Sequence, residues 1–198
     1  MDSVRLTEPR DQVRARLDRD PRPVPDPGDR LAAVLALVVE SPAPTLVFTE
    51  RAAGMSRHAG EVSFPGGLAE PGDASLLATA LREANEEVGL DPSLPEVLGA
   101  LPPIHTHVSG ILVTPFVAVL DVPPTLAPSE AEIAQIVTVR LEELARVETQ
   151  RTLHREDARV WKGWFYEVAG VTVWGATGAM VHALLRIAHE ESVWLHDR

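Results

Sequence analysis

Three stretches of the chain carry apolar residues at the spacing of an α-helix, and each is predicted to bury one face. The first is residues 1–20, a short amphipathic segment. The second runs from Asp73 to Val88, with Asp73 as its expected N-cap and Gly89 as its expected C-cap. The third is residues 176–192. The apolar positions are, in order, Val4, Leu6, Val13 and Leu17; Leu77, Leu81, Ala84 and Val88; and Met180, Leu184, Leu185 and Ala188.

Shorter Val-rich runs between these helices predict strands. "FPGG" at 64–67 reads as a tight turn, and "VAG" at 168–170 as the turn of a hairpin. Strands and helices are mixed without a regular β-α-β alternation. The pattern therefore predicts an α+β fold, an α/β/α sandwich with a mixed sheet between helices. The predicted strands lie within residues 30–40, 45–51, 96–106, 111–121, 136–139 and 158–175.

The proline-rich stretch "PRPVPDPGD" at 21–29 cannot form a helix or a central strand and is predicted to be a linker. A chain of 198 residues is long enough for one domain with a real core and short for two. We therefore expect residues 1–29 to be a helical extension with a linker, and residues 30–198 to be the main domain.

Charge and composition narrow the function classes. The formal net charge is −11, which disfavours binding to nucleic acid or to anionic membranes. There are no cysteines, so thiol catalysis and cysteine-ligated metals are excluded. The longest apolar runs are too short to span a bilayer, and the charged first residues do not read as a secretion signal. We expect a cytoplasmic protein that acts on a small molecule; its oligomeric state, a homodimer included, stays open.

The second predicted helix carries the strongest chemical signal. Glu83, Glu86 and Glu87 have the i, i+3, i+4 spacing that places them together on one face, away from the buried stripe, where like charges repel. A solvated acidic face would explain this pattern, but the glycine-proline turn directly before the helix favours a metal site. A hard divalent cation such as Mg²⁺ takes oxygen ligands, and three carboxylates beside a backbone carbonyl supply them.

Residues 67–90 resemble the Nudix box, G-x5-E-x7-R-E-U-x-E-E-x-G-U, in which U is aliphatic. The second half, "REANEEVGL" from Arg82 to Leu90, matches every fixed position. The first half departs, because Asp73 replaces the early glutamate and eight residues separate it from Arg82. That acid is usually structural in the family.

The upstream stretch "LVFTERAAGMSRHAGEVSFPGG" at 46–67 resembles the signature of the coenzyme A pyrophosphatase subfamily, roughly L-L-T-x-R-[SA]-x3-R-x3-G-x3-F-P-G-G. The second arginine of that signature is missing, since Ser56 holds its place and Arg57 follows one residue later. The subfamily commonly has the Asp and the longer spacing seen here. With "VWGATGAMVHALL" near the C-terminus, the resemblance covers about residues 30–190.

This resemblance implies a Nudix fold and metal-dependent hydrolysis of coenzyme A to 3′,5′-ADP and 4′-phosphopantetheine, with Mg²⁺ or Mn²⁺ as cofactor. Arg82 is expected to hold the helix to the preceding loop through an ion pair. Either Glu86 or Glu87 could instead act on the attacking water. The expected metal ligands are Glu83, Glu86, Glu87, the Gly66 carbonyl and, more weakly, Glu132. The residues expected at the substrate are Arg51, Arg57, His58 and Gly67.

Other interpretations stay open. A Nudix hydrolase of ADP-ribose, NADH or another nucleoside diphosphate derivative would carry the same box, and the Ser56 departure keeps that alternative. A non-catalytic Nudix-fold binding protein is a third reading, but such proteins typically lose box acids, whereas all three remain here. His105 and His107 have a spacing that could bind metal; without a third nitrogen or sulfur ligand nearby in the sequence, we favour a loop or substrate-pocket role.

Overall fold

The computed structural model describes residues 7–52, 60–106, 110–154 and 160–190. Four helices and eleven strands lie in these ranges. The helices are α1 (Thr7–Arg16), α2 (Leu76–Val88), α3 (Leu141–Val147) and α4 (Gly175–Glu190). The strands are β1 (Arg30–Val39), β2 (Thr45–Arg51), β3 (Val62–Ser63), β4 (Gly66–Leu68), β5 (Glu96–Ala100), β6 (Ile104–Thr106), β7 (Ile111–Leu120), β8 (Ile133–Arg140), β9 (Thr149–His154), β10 (Val160–Val168) and β11 (Val171–Val173).

Strand β1 is the centre of a mixed sheet. It runs parallel to β7 and antiparallel to β2 and β4. The order β3-β2-β1-β7-β5 is extended by β8 beside β2 and by β6 beside β7. Strands β9, β10 and β11 form a separate three-stranded antiparallel sheet. The predicted α+β architecture, a mixed sheet between helices, is confirmed.

The sheet buries both of its faces, as the continuous apolar run of β1 requires. Alternate side chains of β1 point to opposite sides. One set packs under α2, beside Ala80, Ala84 and Val88. The other set packs on the side of α4, whose predicted inner residues Met180, Leu184, Leu185 and Ala188 are all buried.

Helix α1 is docked on the domain rather than standing apart from it. Val13 is fully buried in the core on the α4 side. Arg10 forms ion pairs with Glu40, Glu96 and Asp121, so one guanidinium joins α1 to three acids of the main sheet region. Val4 and Leu6, which the apolar pattern also placed in this helix, lie outside the described residues.

One local prediction needs correction. "FPGG" is not only a turn: the chain turns at Phe64 and Pro65, and Gly66 already begins β4, which pairs with β1. A Cβ on Gly66 would lie 2.4 Å from the Ala33 carbonyl oxygen, so only glycine allows this close approach. The predicted hairpin turn is present, between β10 and β11. No helix among the described residues is long and apolar enough to cross a membrane.

Candidate active site

Helix α2 begins two residues later than its sequence predicts. Its N-cap is Ser75, whose hydroxyl accepts a hydrogen bond from the Ala78 amide at 3.1 Å, and not Asp73. Asp73 does not cap the helix because its carboxylate accepts hydrogen bonds from the side chains of Thr79 and Arg82 on α2 and from the Glu70 amide in the loop. The C-terminal end follows the prediction: Gly89 adopts the left-handed conformation, with φ of 69°, and closes the helix.

Arg82 ties the helix to the loop before it, as predicted. Its Nε and Nη2 donate to the two carboxylate oxygens of Asp73 at 2.9 and 3.0 Å. Nη2 also donates to the Leu68 carbonyl at 3.1 Å, and Nη1 donates to Glu83 at 2.9 Å and to Glu86 at 3.0 Å. One guanidinium therefore fixes the loop, the end of β4 and two box acids at the same time.

The three box acids do not share one solvated face. Glu86 is exposed and Glu83 is half-buried, whereas Glu87 is only 4% exposed. The Glu87 carboxylate accepts a hydrogen bond from the Gly66 amide at 3.1 Å, which anchors the helix to the first residue of β4. The spacing argument placed all three acids away from the buried side, and for Glu87 this was wrong, because β4 packs against that part of α2.

Gly67 forms a cradle for Glu83. A Cβ built on Gly67 would lie 2.4 Å from both Cδ and Oε1 of the Glu83 carboxylate, and 2.6 Å from Oε2. Any larger residue would displace that carboxylate. The glycine that the box requires at this position therefore has a steric reason here: it lets an acid of α2 rest directly on the backbone of β4.

Two further charged residues lie near the box acids. Burial raises the pKa of both Glu83 and Glu87, and repulsion from Glu132 adds to this, so the charge of Glu132 lies within electrostatic range of both acids. Arg51, at the end of β2, lowers the pKa of Glu87 by its positive charge. The Arg51 Nε is buried and has no hydrogen-bond partner among the described residues. The site thus holds an available guanidinium donor beside its most buried acid.

This arrangement destabilises the charged forms of two box acids, Glu83 and Glu87. Burial raises the pKa of Glu87 to about 7, although the Gly66 amide and Arg51 favour the charged form. Burial also raises the pKa of Glu83 against the attraction of Arg82, and Glu86 and Glu132 add repulsion. By contrast, Arg82, the Glu70 amide and the Thr79 hydroxyl hold the pKa of Asp73 well below its usual range. The charged forms of Glu83 and Glu87 are therefore destabilised, whereas the charged form of Asp73 is stabilised.

This donor set fits a hard divalent cation. Glu83, Glu86, Glu87 and Glu132 offer only oxygen atoms, which Mg²⁺ and Mn²⁺ prefer. Arg82 engages one oxygen of Glu83 and one of Glu86, which leaves the second oxygen of each for another partner. The role of the Gly66 carbonyl as a ligand stays a prediction, since the contact seen at Gly66 is made by its amide.

Several predicted residues fall elsewhere. Arg57, His58 and His107 lie outside the described residues. His105 is not near the box acids in any described contact; its Nδ1 lies 3.1 Å from Oδ2 of Asp29. Asp26 joins them, so that three donor atoms lie within 4.8 Å of one another. His105 lies in strand β6, so the loop role favoured for it is wrong, and the substrate-pocket role stays a prediction.

Thr79 is the residue of this region that the sequence reasoning missed. It is fully buried and donates a hydrogen bond to Asp73 at 2.8 Å. A signal was available, because Thr79, Arg82, Glu83 and Glu86 follow one another at helical spacing on one face of α2. A polar residue at a buried position of such a face indicates a specific hydrogen bond.

Comparison with known proteins places the fold in a family. Residues 29–165 match the family model described as the NUDIX domain. A protein of Cronobacter sakazakii, named as an uncharacterized Nudix hydrolase NudL, is 43% identical over 161 residues, which cover 78% of this chain and 81% of the relative. Its namesake from Pectobacterium atrosepticum is 41% identical over 161 residues, with the same coverage of both chains.

Solved structures agree on the fold. A Nudix hydrolase from M. smegmatis, RenU, superposes with a TM-score of 0.57 at 18% identity and covers 85% of this chain and 90% of its own. A NUDIX hydrolase from Alicyclobacillus acidocaldarius gives a TM-score of 0.57 at 17% identity, over 89% of this chain and all of the other. At these identities the likeness concerns the fold alone.

Proposed function

Because the chain belongs to the Nudix family, we propose that it hydrolyses the pyrophosphate bond of coenzyme A or of a coenzyme A derivative. The products would be 3′,5′-ADP and 4′-phosphopantetheine. The observation that carries a hydrolytic function is the intact set of box acids, two of them held by Arg82 and one by the Gly66 amide. The upstream signature, with Arg51 beside the acids, supports coenzyme A as the substrate.

Glu83, Glu86 and Glu87 would hold Mg²⁺ or Mn²⁺, with Glu132 and the Gly66 carbonyl as further oxygen donors. When bound, the cation neutralises charge on the pyrophosphate and lowers the pKa of a coordinated water. Its charge would also offset the burial and the repulsion that together raise the pKa of Glu83 and Glu87. The unfavourable electrostatic energy of bringing these acids together would thus be relieved by the cation that the reaction needs.

The side chains have separable roles in the hydrolysis. The oxygen of a water molecule attacks one phosphorus of the pyrophosphate, and the bond from that phosphorus to the bridging oxygen breaks. Glu86 or Glu87 accepts the proton of the water: Glu86 is exposed to solvent, and Glu87 is buried with one oxygen on the Gly66 amide. Arg82 has a positioning role. It is paired with Asp73, and it keeps Glu83 and Glu86 in place through its ion pairs with both.

Arg51 would bind a substrate phosphate. Its Nε is buried and unpaired among the described residues, and a guanidinium matches phosphate oxygens well. Arg57, His58 and Gly67 complete the proposed substrate contacts, with Gly67 acting through its backbone because a Cβ there would meet the Glu83 carboxylate. We further propose that residues 30–198 form the catalytic domain and that residues 1–29 are a docked extension with a linker, in a protein of the cytoplasm.

A substrate panel tests the proposal. The purified protein is incubated with Mg²⁺ or Mn²⁺ and coenzyme A, acyl- or oxidised coenzyme A, ADP-ribose, NADH or nucleoside triphosphates, and the products are identified by mass spectrometry. We expect cleavage of coenzyme A at its pyrophosphate. No turnover of coenzyme A beside rapid cleavage of ADP-ribose would overturn the proposed substrate, and no turnover of any member would favour a binding protein.

The same assay with Glu86→Gln tests the site. Turnover should fall by at least about a hundredfold, as expected when a group in direct contact with the metal or the water is lost. Glu142→Gln, which changes an exposed acid in the first turn of α3, is the matched control and should leave turnover unchanged. Near-normal activity of Glu86→Gln would remove Glu86 from the mechanism.

A further inference from the structure

Thr79 is buried one turn before Arg82 on α2 and has two acceptors in reach. Its Oγ1 lies 2.8 Å from Oδ2 of Asp73 and 3.3 Å from the carbonyl oxygen of Ser75, and the side chain is fully shielded from solvent. A hydroxyl has one proton to donate. The closer, charged acceptor takes it, because hydrogen bonds to carboxylates are shorter and stronger than those to carbonyls.

The carboxylate of Asp73 accepts four hydrogen bonds. Its Oδ1 accepts from Arg82 Nε, and its Oδ2 accepts from Arg82 Nη2, from the Thr79 hydroxyl and from the Glu70 amide. The Asp73 side chain is 8% exposed. The hydroxyl thus binds the same carboxylate oxygen that accepts from Nη2 of Arg82.

The orientation of the Arg82 guanidinium determines where it holds Glu83 and Glu86. The guanidinium is planar, so fixing Nε and Nη2 on Asp73 also fixes the direction of Nη1. Nη1 in turn holds one oxygen of Glu83 and one of Glu86. A continuous series of hydrogen bonds therefore runs from Thr79 through Asp73 and Arg82 to two box acids. Thr79 occupies a variable position of the box, between the early acid and the arginine.

We propose that Thr79 is a positioning residue for the divalent-cation site, acting through Asp73 and Arg82 on the carboxylates of Glu83 and Glu86. This inference rests on the proposed metal-dependent function, but on its cation and not on its substrate. The alternative is a purely structural threonine whose hydroxyl bonds back to Ser75, as threonines in helices often do. The two readings differ in whether cation affinity depends on the hydroxyl.

The test compares Thr79→Val with Thr79→Ser and the unchanged protein. Valine keeps the branched shape and removes the hydroxyl, whereas serine keeps the hydroxyl. Thr172→Val is the matched control: it removes a hydroxyl that donates to Glu167 at 2.7 Å on the β10–β11 hairpin. The dissociation constant of Mn²⁺ is measured by electron paramagnetic resonance without substrate, and kcat and KM for coenzyme A are measured against Mn²⁺ concentration.

We expect Thr79→Val to bind Mn²⁺ about tenfold more weakly, the lower end of the loss for outer partners of metal ligands. Thr79→Ser and Thr172→Val should bind as the unchanged protein does. Saturating Mn²⁺ should restore most of kcat in Thr79→Val, and KM for coenzyme A should stay the same. Equal Mn²⁺ affinity of Thr79→Val and the unchanged protein would overturn the inference, even if the melting temperature fell.

Two arrangements keep the test decisive. If Thr79→Val does not fold, the pair Thr79→Ala and Thr79→Ser replaces it, because these variants differ by the hydroxyl alone. If the unchanged protein does not cleave coenzyme A but its Mn²⁺ affinity still depends on Thr79, the proposed substrate fails and the inference stands. If the unchanged protein cleaves coenzyme A and Thr79→Val binds Mn²⁺ as tightly as the unchanged protein does, the inference fails and the proposed function stands.

Discussion

The two faces of the central sheet carry two different polar networks. On the α2 side, the acids Glu83, Glu86 and Glu87 share mainly Arg82 and one backbone amide. On the α4 side, a single acid, Glu148, accepts from two side chains. Its Oε2 lies 2.6 Å from the hydroxyl of Tyr166 and 3.1 Å from Nδ1 of His182, and the ring of His182 stacks on Trp164 with centroids 3.7 Å apart.

The difference lies in how completely each network satisfies its charge. Glu148 has a donor on each side and joins β10 to α3 and α4, so this network stabilises the fold. On the α2 side, the three box carboxylates share one guanidinium nitrogen, Nη1 of Arg82, and the Gly66 amide, and burial raises the pKa of Glu83 and Glu87. A surplus of buried negative charge lowers stability unless a ligand compensates it. The comparison assigns stability to one face and binding to the other, and four substitutions, two on each face, test that division.

The largest effect is expected for Gly67→Ala. The new Cβ would lie 2.4 Å from the Glu83 carboxylate and displace it. A displacement of about 1 Å at a catalytic group costs about a hundredfold in rate, so kcat/KM for coenzyme A should fall by about that factor. Gly72→Ala is the matched control, because a Cβ there meets nothing within 4 Å. A Gly67→Ala enzyme of normal activity would show that Glu83 does not need this position.

Opposite changes in stability are expected for two substitutions of glutamate by glutamine. In a chelating buffer at about pH 8, Glu87→Gln should raise the free energy of unfolding by about 1–3 kcal/mol, because one pKa unit of raised carboxyl pKa corresponds to about 1.4 kcal/mol. Glu148→Gln should lower it by about 1–2 kcal/mol, since it loses charge-assisted hydrogen bonds to Tyr166 and His182. Urea denaturation measures both. A loss of stability in both variants would contradict the division between the two faces.

The smallest effect concerns alkaline pH. Burial and the bond to Glu148 raise the pKa of Tyr166. Above about pH 10 the unfolded tyrosine loses its proton while the folded one keeps it, so stability falls as pH rises. Tyr166 is the chain's one tyrosine. Between about pH 9 and about pH 11, the unchanged protein should therefore lose up to about 1 kcal/mol more than Tyr166→Phe does. Equal losses in urea denaturation would show that Tyr166 titrates as in the unfolded chain.

Much of the fold was predictable from local patterns. The helical spacing of Met180, Leu184, Leu185 and Ala188 predicted the inner side of α4, and Gly89 predicted the end of α2. The start of α2 was not predictable in this way. Asp73 and Ser75 are both good N-caps, and only the position of Arg82, nine residues further on, decides that Asp73 is engaged elsewhere.

The site was predictable in its residue types but not in its geometry. The spacing of Glu83, Glu86 and Glu87 indicated a shared face, because helical periodicity is local. It could not show that Glu87 is buried, since that depends on β4, which arrives from an earlier part of the chain and pairs with β1. Glu132 comes close to the box only because the loop before β8 is hydrogen-bonded to the end of α2 through Ser129 and Glu87.

The sequence by itself therefore determined the family, the mixed architecture and the acids of the box, since these follow from short-range periodicity and fixed spacing. Only the tertiary structure decided how those acids differ. It buries Glu87, rests Glu83 on Gly67 and leaves Glu86 exposed. The physical reason is that burial and electrostatic coupling depend on which distant segments pack together, and local spacing carries no information about that packing.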